Sequence, residues 1–297
     1  MSDARLDALA AEMRLPVPFP SLPAYRAIAA EVAHRARAAG GPILVGLCGS
    51  QGSGKSTMAA FLAALLDGEG LPTAVLSLDD LYLDPEARPT DIHPLFATRG
   101  VPGTHDVALG MTTIDRLFAA APGETVPIPR FDKARDRRAP EGEWDRFTGG
   151  ARVVLLEGWC VGAPPQPADA LTRAVNTIEV EEDSDGRWRA HVNARLAEDY
   201  HALFGRIALL VYLRAPGFDC VFQWRRRQEE KLRARVGDTA EGLMDDAALR
   251  RFIMHYERLT RHLLDVLPTR ADILVSLDPT QRIVSTLTNA RTSEGEE

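Results

Sequence analysis

The chain has little that would tie it to a membrane, a nucleic acid or an oxidising compartment. Cysteine is scarce: Cys48, Cys160 and Cys220 are three among 297 residues, with no Cys-x-x-Cys spacing. Such a set argues against a disulfide framework and a cysteine-based zinc site, and it fits a reducing cytoplasm. Long hydrophobic runs are missing. Ile207–Leu213 and Val153–Leu156 are strand-sized, far short of the ~20 residues a membrane span requires. The opening stretch MSDARLDALAAEMRLP has early acidic residues and no apolar h-region, so no signal peptide is expected. Positive charge is not in excess. Lys+Arg 35 against Asp+Glu 42 leaves a net charge of −7, the wrong sign for nonspecific binding to nucleic acid or an anionic membrane. Aromatics make up only 6%, and none clusters in residues 84–106 beyond Phe96.

What remains is an ordinary globular composition. Hydrophobic residues are 45%, Gly is 23 and Pro is 20, which is neither low-complexity nor collagen-like. A length of 297 sits near the limit of about 250–300 residues for one core. One large domain with inserts is expected. Apolar runs at 43–48, 73–78, 152–156, 207–213 and 273–277 read as strands, the first being continuous enough for a buried parallel strand. Helical patterns cover 21–39, 55–66, 107–120, 217–235 and 245–264. The alternation predicts an α/β fold of three layers, α/β/α, around a mainly parallel five-stranded sheet. Residues 1–40 read as a helical arm, 41–283 as the main domain and 284–297 as a polar tail. The charged insert EVEEDSDGRWR at 179–189 reads as an exposed loop. Long irregular stretches at 84–106 and 121–149 exceed ordinary loop lengths and are expected to wall a ligand site.

Gly49-Ser50-Gln51-Gly52-Ser53-Gly54-Lys55-Ser56 matches G-x-x-x-x-G-K-[ST], with a strand before it and a helix after. The glycines let backbone N–H groups face phosphate oxygens, and the helix N-terminus adds a favourable dipole. Residues Gly49 to Thr57 are therefore the nucleotide cradle. Lys55 is expected at the β/γ-phosphates and Ser56 on Mg²⁺. Three readings follow from such a loop: a small-molecule kinase, a GTPase or an ATP-driven motor. The Asn-Lys-x-Asp motif of GTPases is absent. A kinase needs a carboxylate at a strand end, a polar substrate loop and an arginine-rich lid, and all three are present.

Asp79 and Asp80 end the second strand, where ligands bind in open α/β sheets. A carboxylate there can take the proton of an attacking hydroxyl. Glu157 follows Val153-Val154-Leu155-Leu156, the position from which a carboxylate holds Mg²⁺ directly or through water. Arg99, His105, Arg130 and Lys133 crowd the two long loops. A basic cluster in an acidic chain points to an anionic acceptor, since arginine grips a carboxylate in bidentate fashion. Residues 217–235 carry Trp224-Arg225-Arg226-Arg227. Successive helical residues are turned by about 100°, so only one or two of these arginines can close over phosphates, with Arg225 the candidate.

Read together, GLCGSQGSGKST, LSLDDLYL, RGVPGTHDV, IPRFDKARDRR, LLEGWCVG, WRRRQEE and HYERLTRHL resemble the P-loop D-glycerate 3-kinases of plants, fungi and bacteria. Phosphoribulokinase, uridine kinase and pantothenate kinase are relatives. The likeness runs from about Gly46 to Leu264. It implies transfer of the ATP γ-phosphate to the C3 hydroxyl of D-glycerate, with Asp79 as base and Arg99, Arg130 and Lys133 lining the acceptor pocket. The RGVPGTHD stretch also resembles a pantothenate-kinase segment, which leaves another hydroxy acid or a nucleoside as alternative acceptors. A non-catalytic nucleotide-binding protein is the alternative outside the class, and the intact Lys55, Ser56, Asp79 and Glu157 set argues against it.

Overall fold

The computed structural model describes residues 3–236 and 244–289. Helices α1 (Asp3–Glu12) and α2 (Leu22–Ala38) open the chain. Tyr25, Ile28, Ala29, Val32 and Ala36 are all buried on α2, because residues three and four apart share a helix face. Strand β1 (Ile43–Gly49) is buried throughout and leads through the glycine loop into α3 (Lys55–Gly68). Strand β2 (Thr73–Ser77) runs into a 3₁₀ turn, Leu78–Leu81. A long excursion ends at α4 (Val107–Ala119), whose first turn is capped by Asp106 accepting from Leu109 N at 2.9 Å. Strands β3 (Thr125–Ile128) and β6 (Asp145–Thr148) pair as one antiparallel ribbon, and β4 (Phe131–Asp132) and β5 (Arg137–Arg138) as another. Next come β7 (Val153–Gly158), α5 (Thr177–Glu181), α6 (Arg187–Ala197), α7 (Asp199–Phe204) and β8 (Ile207–Arg214). The last elements are α8 (Phe218–Val236), α9 (Asp246–Arg270), β9 (Ile273–Leu277) and β10 (Ile283–Thr288).

The main sheet has the order β10-β9-β8-β1-β7-β2. Every neighbouring pair is parallel except β10 with β9. Side chains of β1 alternate between two cores, Leu44 and Cys48 on one face, Ile43, Val45 and Leu47 on the other, as strand geometry requires. The second core takes α1, α2, α3 and α8; the first takes α4, α6 and α7; α9 contributes to both. The result is the expected three-layer α/β fold with β1 central, so that the glycine loop leaves the middle of the sheet's carboxyl edge.

Four details differ from the sequence reading. A sixth strand, β10, lies where the polar tail was expected from residue 284. It is an antiparallel edge strand with Val284 and Leu287 exposed, and so lacks the apolar alternation that marks a half-buried strand. The rest of that tail, from residue 290, lies outside the described residues. The expected arm of residues 1–40 is not separate: Phe19 stacks on Phe61 of α3 at 5.0 Å and Leu6 joins the same core. The stretch 121–149 holds the two short ribbons instead of being wholly irregular. Finally, the charged insert at 179–189 is partly interior. Glu179, Asp183 and Arg189 are buried; Glu179 takes two bonds of 2.7 Å from Arg258, and Asp183 takes one of 2.8 Å from Arg189. Charge pairing across the fold hides residues whose composition alone reads as solvent-facing.

Candidate active site

A cleft of about 340 Å³ opens over the carboxyl edge of β1 and β2. Gln51, Gly52, Lys55 and Ser56 form one wall, and Asp79, Tyr82, Arg99 and Lys133 face them; Arg225, Gln228, Phe252 and Tyr256 of α8 and α9 close the side.

The loop wall is set by backbone shape. Gly52 has φ +78°, and a Cβ there would lie 2.6 Å from Trp224 Cβ of α8. Gly54 has φ +91° at the N-cap of α3. Both are conformations that side chains resist. Trp224 is fully buried and donates to Pro279 O at 2.9 Å. Gln281 donates to Gly52 O. The loop is thus braced from α8 and from the turn after β9. The Ser50 and Ser53 hydroxyls are buried with no protein partner. Unpaired buried hydroxyls are costly, which suits a loop shaped to meet a ligand. Glu157, within β7 opposite Leu47 and Ser77, accepts from Ser56 Oγ at 2.9 Å and Ser77 Oγ at 3.0 Å through the same oxygen. Its other oxygen has no hydrogen-bond partner and lies 3.9 Å from Lys55 Nζ. Thr57 sits in the first turn of α3, partly buried.

The opposite wall is made of side chains. Tyr82 donates to Asp79 Oδ1 at 2.8 Å, and Lys133 donates to Asp79 Oδ2 at 2.6 Å. Burial pushes the Asp79 carboxyl up, but the charges of Lys133 and Lys55 and these two hydrogen bonds outweigh it and hold the group well below the usual carboxylate range. Tyr82 is pushed far above its ordinary value, by burial and then by the Asp79 charge. Arg99 lies 5.9 Å over the Tyr82 ring and 5.6 Å over Phe131. It donates to Asp136, which also receives a bidentate pair from buried Arg88 at 2.7 and 2.9 Å. Tyr256 fixes the Arg99 backbone by donating to its carbonyl at 3.0 Å.

The sequence-derived candidates therefore separate. Lys55, Ser56, Asp79, Arg99, Lys133 and Arg225 line one cleft, and Glu157 lies beneath it. Arg130 does not line it: its guanidinium is held between Asp80 and Asp145, while Asp80 also accepts from Phe131 N at 3.0 Å. His105 stands one layer back. Its ring is buried, stacks on Tyr82 at 4.8 Å and meets Tyr200 Oη at 2.5 Å. Burial pushes His105 down to about 4, with the Asp79 charge acting the other way. Of the three lid arginines, Arg225 reaches the cleft and pairs with Glu229 at 2.9 Å, whereas Arg226 pairs with Glu230 at 3.1 Å. Tyr82, Tyr256, Gln228, Phe252 and Ser77 were not singled out from sequence. Tyr82 and Tyr256 lie inside the quoted LSLDDLYL and HYERLTRHL segments, which was the available signal.

A glycine-built phosphate loop, a carboxylate at the next strand end and an arginine reaching over from a following helix define a P-loop kinase, a phosphotransferase with an alcohol group as acceptor. No family model matches the chain. Among curated proteins it is 34% identical over 228 residues to an uncharacterized kinase, mug58, of Schizosaccharomyces pombe, spanning 73% of this chain and 79% of that one. It is 28% identical over 225 residues to the chloroplastic D-glycerate 3-kinase of Arabidopsis thaliana, spanning 72% of this chain but only 46% of that longer protein. The solved D-glycerate 3-kinase of Cryptococcus neoformans superposes with a TM-score of 0.70 at 23% identity, over 91% of this chain and 99% of that one; this likeness shows the fold. The chain belongs to the same family of P-loop kinases as the Schizosaccharomyces pombe protein. Among the described residues, no helix is long and apolar enough to cross a membrane.

Proposed function

We propose that the protein transfers the γ-phosphate of ATP to the 3-hydroxyl of D-glycerate, giving 3-phospho-D-glycerate and ADP, with Mg²⁺ as cofactor. The observation that carries this reading is that a strand-end carboxylate, Asp79, shares the cleft with two cations on the acceptor wall, Arg99 and Lys133. D-Glycerate has its reacting hydroxyl and its carboxylate separated by only two carbons, so the two ends fit neighbouring groups of opposite charge. Arg99 is free to exchange partners, because Asp136 keeps the bidentate Arg88 when Arg99 leaves. Arg130 lacks that freedom, since it neutralises both Asp80 and Asp145. The relatives named D-glycerate 3-kinase support the same acceptor.

Within this proposal Gly49 to Thr57 cradle the phosphates, Lys55 neutralises charge on the transferred group and Arg225 closes from the lid at 217–235. Ser56 and Glu157 would hold Mg²⁺; their oxygens are hard donors, and one Glu157 oxygen has no hydrogen-bond partner. The ion would offset negative charge on the phosphate oxygens. Asp79 takes the proton of the attacking hydroxyl. Residues 41–283 act as the kinase domain, with 84–106 and 131–138 carrying the acceptor wall. We place the enzyme in the cytoplasm, a setting that suits three free cysteines.

The test is ATP consumption by purified protein against D-glycerate, L-glycerate, glycerol, pantothenate and uridine. D-Glycerate is expected to give the highest kcat/KM. Preference for glycerol or uridine would replace the hydroxy-acid reading with a polyol or nucleoside kinase of the same fold.

A further inference from the structure

Both oxygens of Asp79 already carry a hydrogen bond as the protein stands. Oδ1 is taken by Tyr82, a residue only 4% exposed, stacked on His105 and packed edge-on to Phe131 at 5.3 Å. That contact is fixed by the interior. Oδ2 is taken by Lys133, whose side chain is 55% exposed on the turn between β4 and β5. A carboxylate oxygen can accept more than one hydrogen bond. Yet a base already neutralised by an ammonium at 2.6 Å is a weak one. One cap is therefore built in, and the other is on a flexible chain at the cleft's rim. Exposed lysine–carboxylate pairs of this kind are weak and readily exchanged.

We infer that Lys133 is a substrate-operated cap on the catalytic base, drawn off Asp79 Oδ2 by the carboxylate of the acceptor. The inference rests on the hydroxy-acid reading above. When the acceptor binds, its carboxylate takes the Lys133 ammonium as counterion and its hydroxyl takes the vacated place on Oδ2. The hydroxyl oxygen then bonds to the γ-phosphorus, the bond from that phosphorus to the bridging oxygen of ADP breaks, and the hydroxyl proton goes to Asp79 and thence to solvent. Lys133 keeps its proton throughout. Water and uncharged alcohols that enter the cleft lack a carboxylate, leave the cap in place and meet a disabled base. Lys133 is in this way a specificity-determining residue that acts on kcat and guards ATP against hydrolysis, besides helping to bind the acid.

Lys133→Met tests this, since it keeps the length of the chain and removes the charge at an exposed turn. Wild type is assayed first with D-glycerate; inactivity there overturns the underlying acceptor reading before any variant is made. In Lys133→Met, KM for D-glycerate is expected to rise. At the same time ATP hydrolysis without acceptor and kcat for glycerol should both rise, by roughly two- to fivefold, the factor an exposed ion pair carries. An ordinary clamp predicts the KM effect with no gain for water or glycerol, and that outcome overturns the proposal. A fall in both of these rates also overturns it, by making Lys133 a stabiliser of the transferred phosphate.

Discussion

The two walls of the cleft are made by different means. The phosphate wall is one contiguous segment, braced by Trp224 and Gln281 and shaped by glycines whose positions tolerate no Cβ or no ordinary φ. Its chemistry is held in the backbone and in two or three side chains rooted in β1, α3 and β7. The acceptor wall is assembled from the turn after β2, the loop before α4, the β4–β5 hairpin and α9. Each of its charged groups is already paired, Asp79 with Lys133 and Arg99 with Asp136, and behind the wall Arg130 is paired with Asp80 and Asp145. A preorganised wall receives the ligand common to the whole class. A wall of exchangeable ion pairs receives the ligand that differs between members, because side-chain partners can be swapped without disturbing the sheet.

Damage to the phosphate wall should be the most severe and should not depend on the acceptor. Lys55→Ala removes the one cation rooted in the loop helix. Loss of a single preorganised donor in a dry site costs about 10²–10³ in kcat, and the role proposed for Lys55 adds a contact with ground-state phosphate. kcat/KM for ATP should therefore fall beyond about 10³-fold, with D-glycerate and any poorer acceptor reduced alike, while far-ultraviolet circular dichroism stays that of wild type. An effect confined to one acceptor would assign Lys55 to the other wall.

Asp79 stands where the walls meet. Asp79→Asn keeps the shape, and Asn can still accept from Tyr82, but it cannot take a proton. General-base assistance is typically worth about 10²–10⁴-fold, so kcat should drop by about 10²-fold or more with little change in KM for ATP. Asp80→Asn is the sharpening partner. Asp80 holds Arg130 and Phe131 N, so its loss should loosen the hairpin and raise KM for glycerate before it touches kcat. The reverse pattern would exchange the two carboxylates' roles.

The same contrast explains how much could be read from sequence. The five parallel strands announced themselves as apolar runs because both faces of such a sheet are covered. The phosphate loop was legible because its geometry demands glycine at set spacing. Strand β10 was not, since an exposed edge needs no apolar face. On the acceptor wall sequence reported that Arg99, Arg130 and Lys133 were near one another, and nothing about their partners. The distinction between Arg99, which shares Asp136 with Arg88, and Arg130, which holds two carboxylates alone, exists only in three dimensions. So does the burial of Glu179 against Arg258, residues 79 positions apart.

That distinction can be measured. Arg99→Ala leaves Asp136 paired with Arg88, so the fold should hold and the loss should appear as a KM for D-glycerate raised by about tenfold to a hundredfold, the scale of about 1.4–2.7 kcal/mol for a charge-assisted contact. Glycerol, without a carboxylate, should be nearly indifferent, so the glycerate-to-glycerol preference should shrink. Arg130→Ala should raise the glycerate KM less than Arg99→Ala does, and should lower the melting temperature more, since Asp80 and Asp145 lose their shared cation. Steady-state kinetics on both acceptors with thermal melts of both variants decide this. Equal selective losses in KM would put Arg130 into the carboxylate clamp as well.

The smallest expected effect concerns His105, a candidate for substrate contact that the structure sets behind Tyr82. Its ring touches the cleft only through that tyrosine, so His105→Gln should change KM for D-glycerate by less than about threefold at pH 8, a shift of about half a kcal/mol. The consequence should appear in acid stability instead. Burial holds the folded His105 near 4, against about 6.5 for an unfolded histidine. Between those values the unfolded chain binds the proton that the folded chain refuses. Stability contributed by keeping the ring neutral is therefore complete above about pH 6.5 and declines as pH falls toward 4, by at most about 3 kcal/mol. His191, His255 and His262 are pushed the same way by burial, so removing His105 should make the acid limb shallower without abolishing it. Urea melts of wild type and His105→Gln from pH 8 to pH 4 give the two curves. Parallel curves would mean that His105 is not held neutral in the fold. A tenfold rise in glycerate KM at pH 8 would move His105 from support of the acceptor wall into the wall itself.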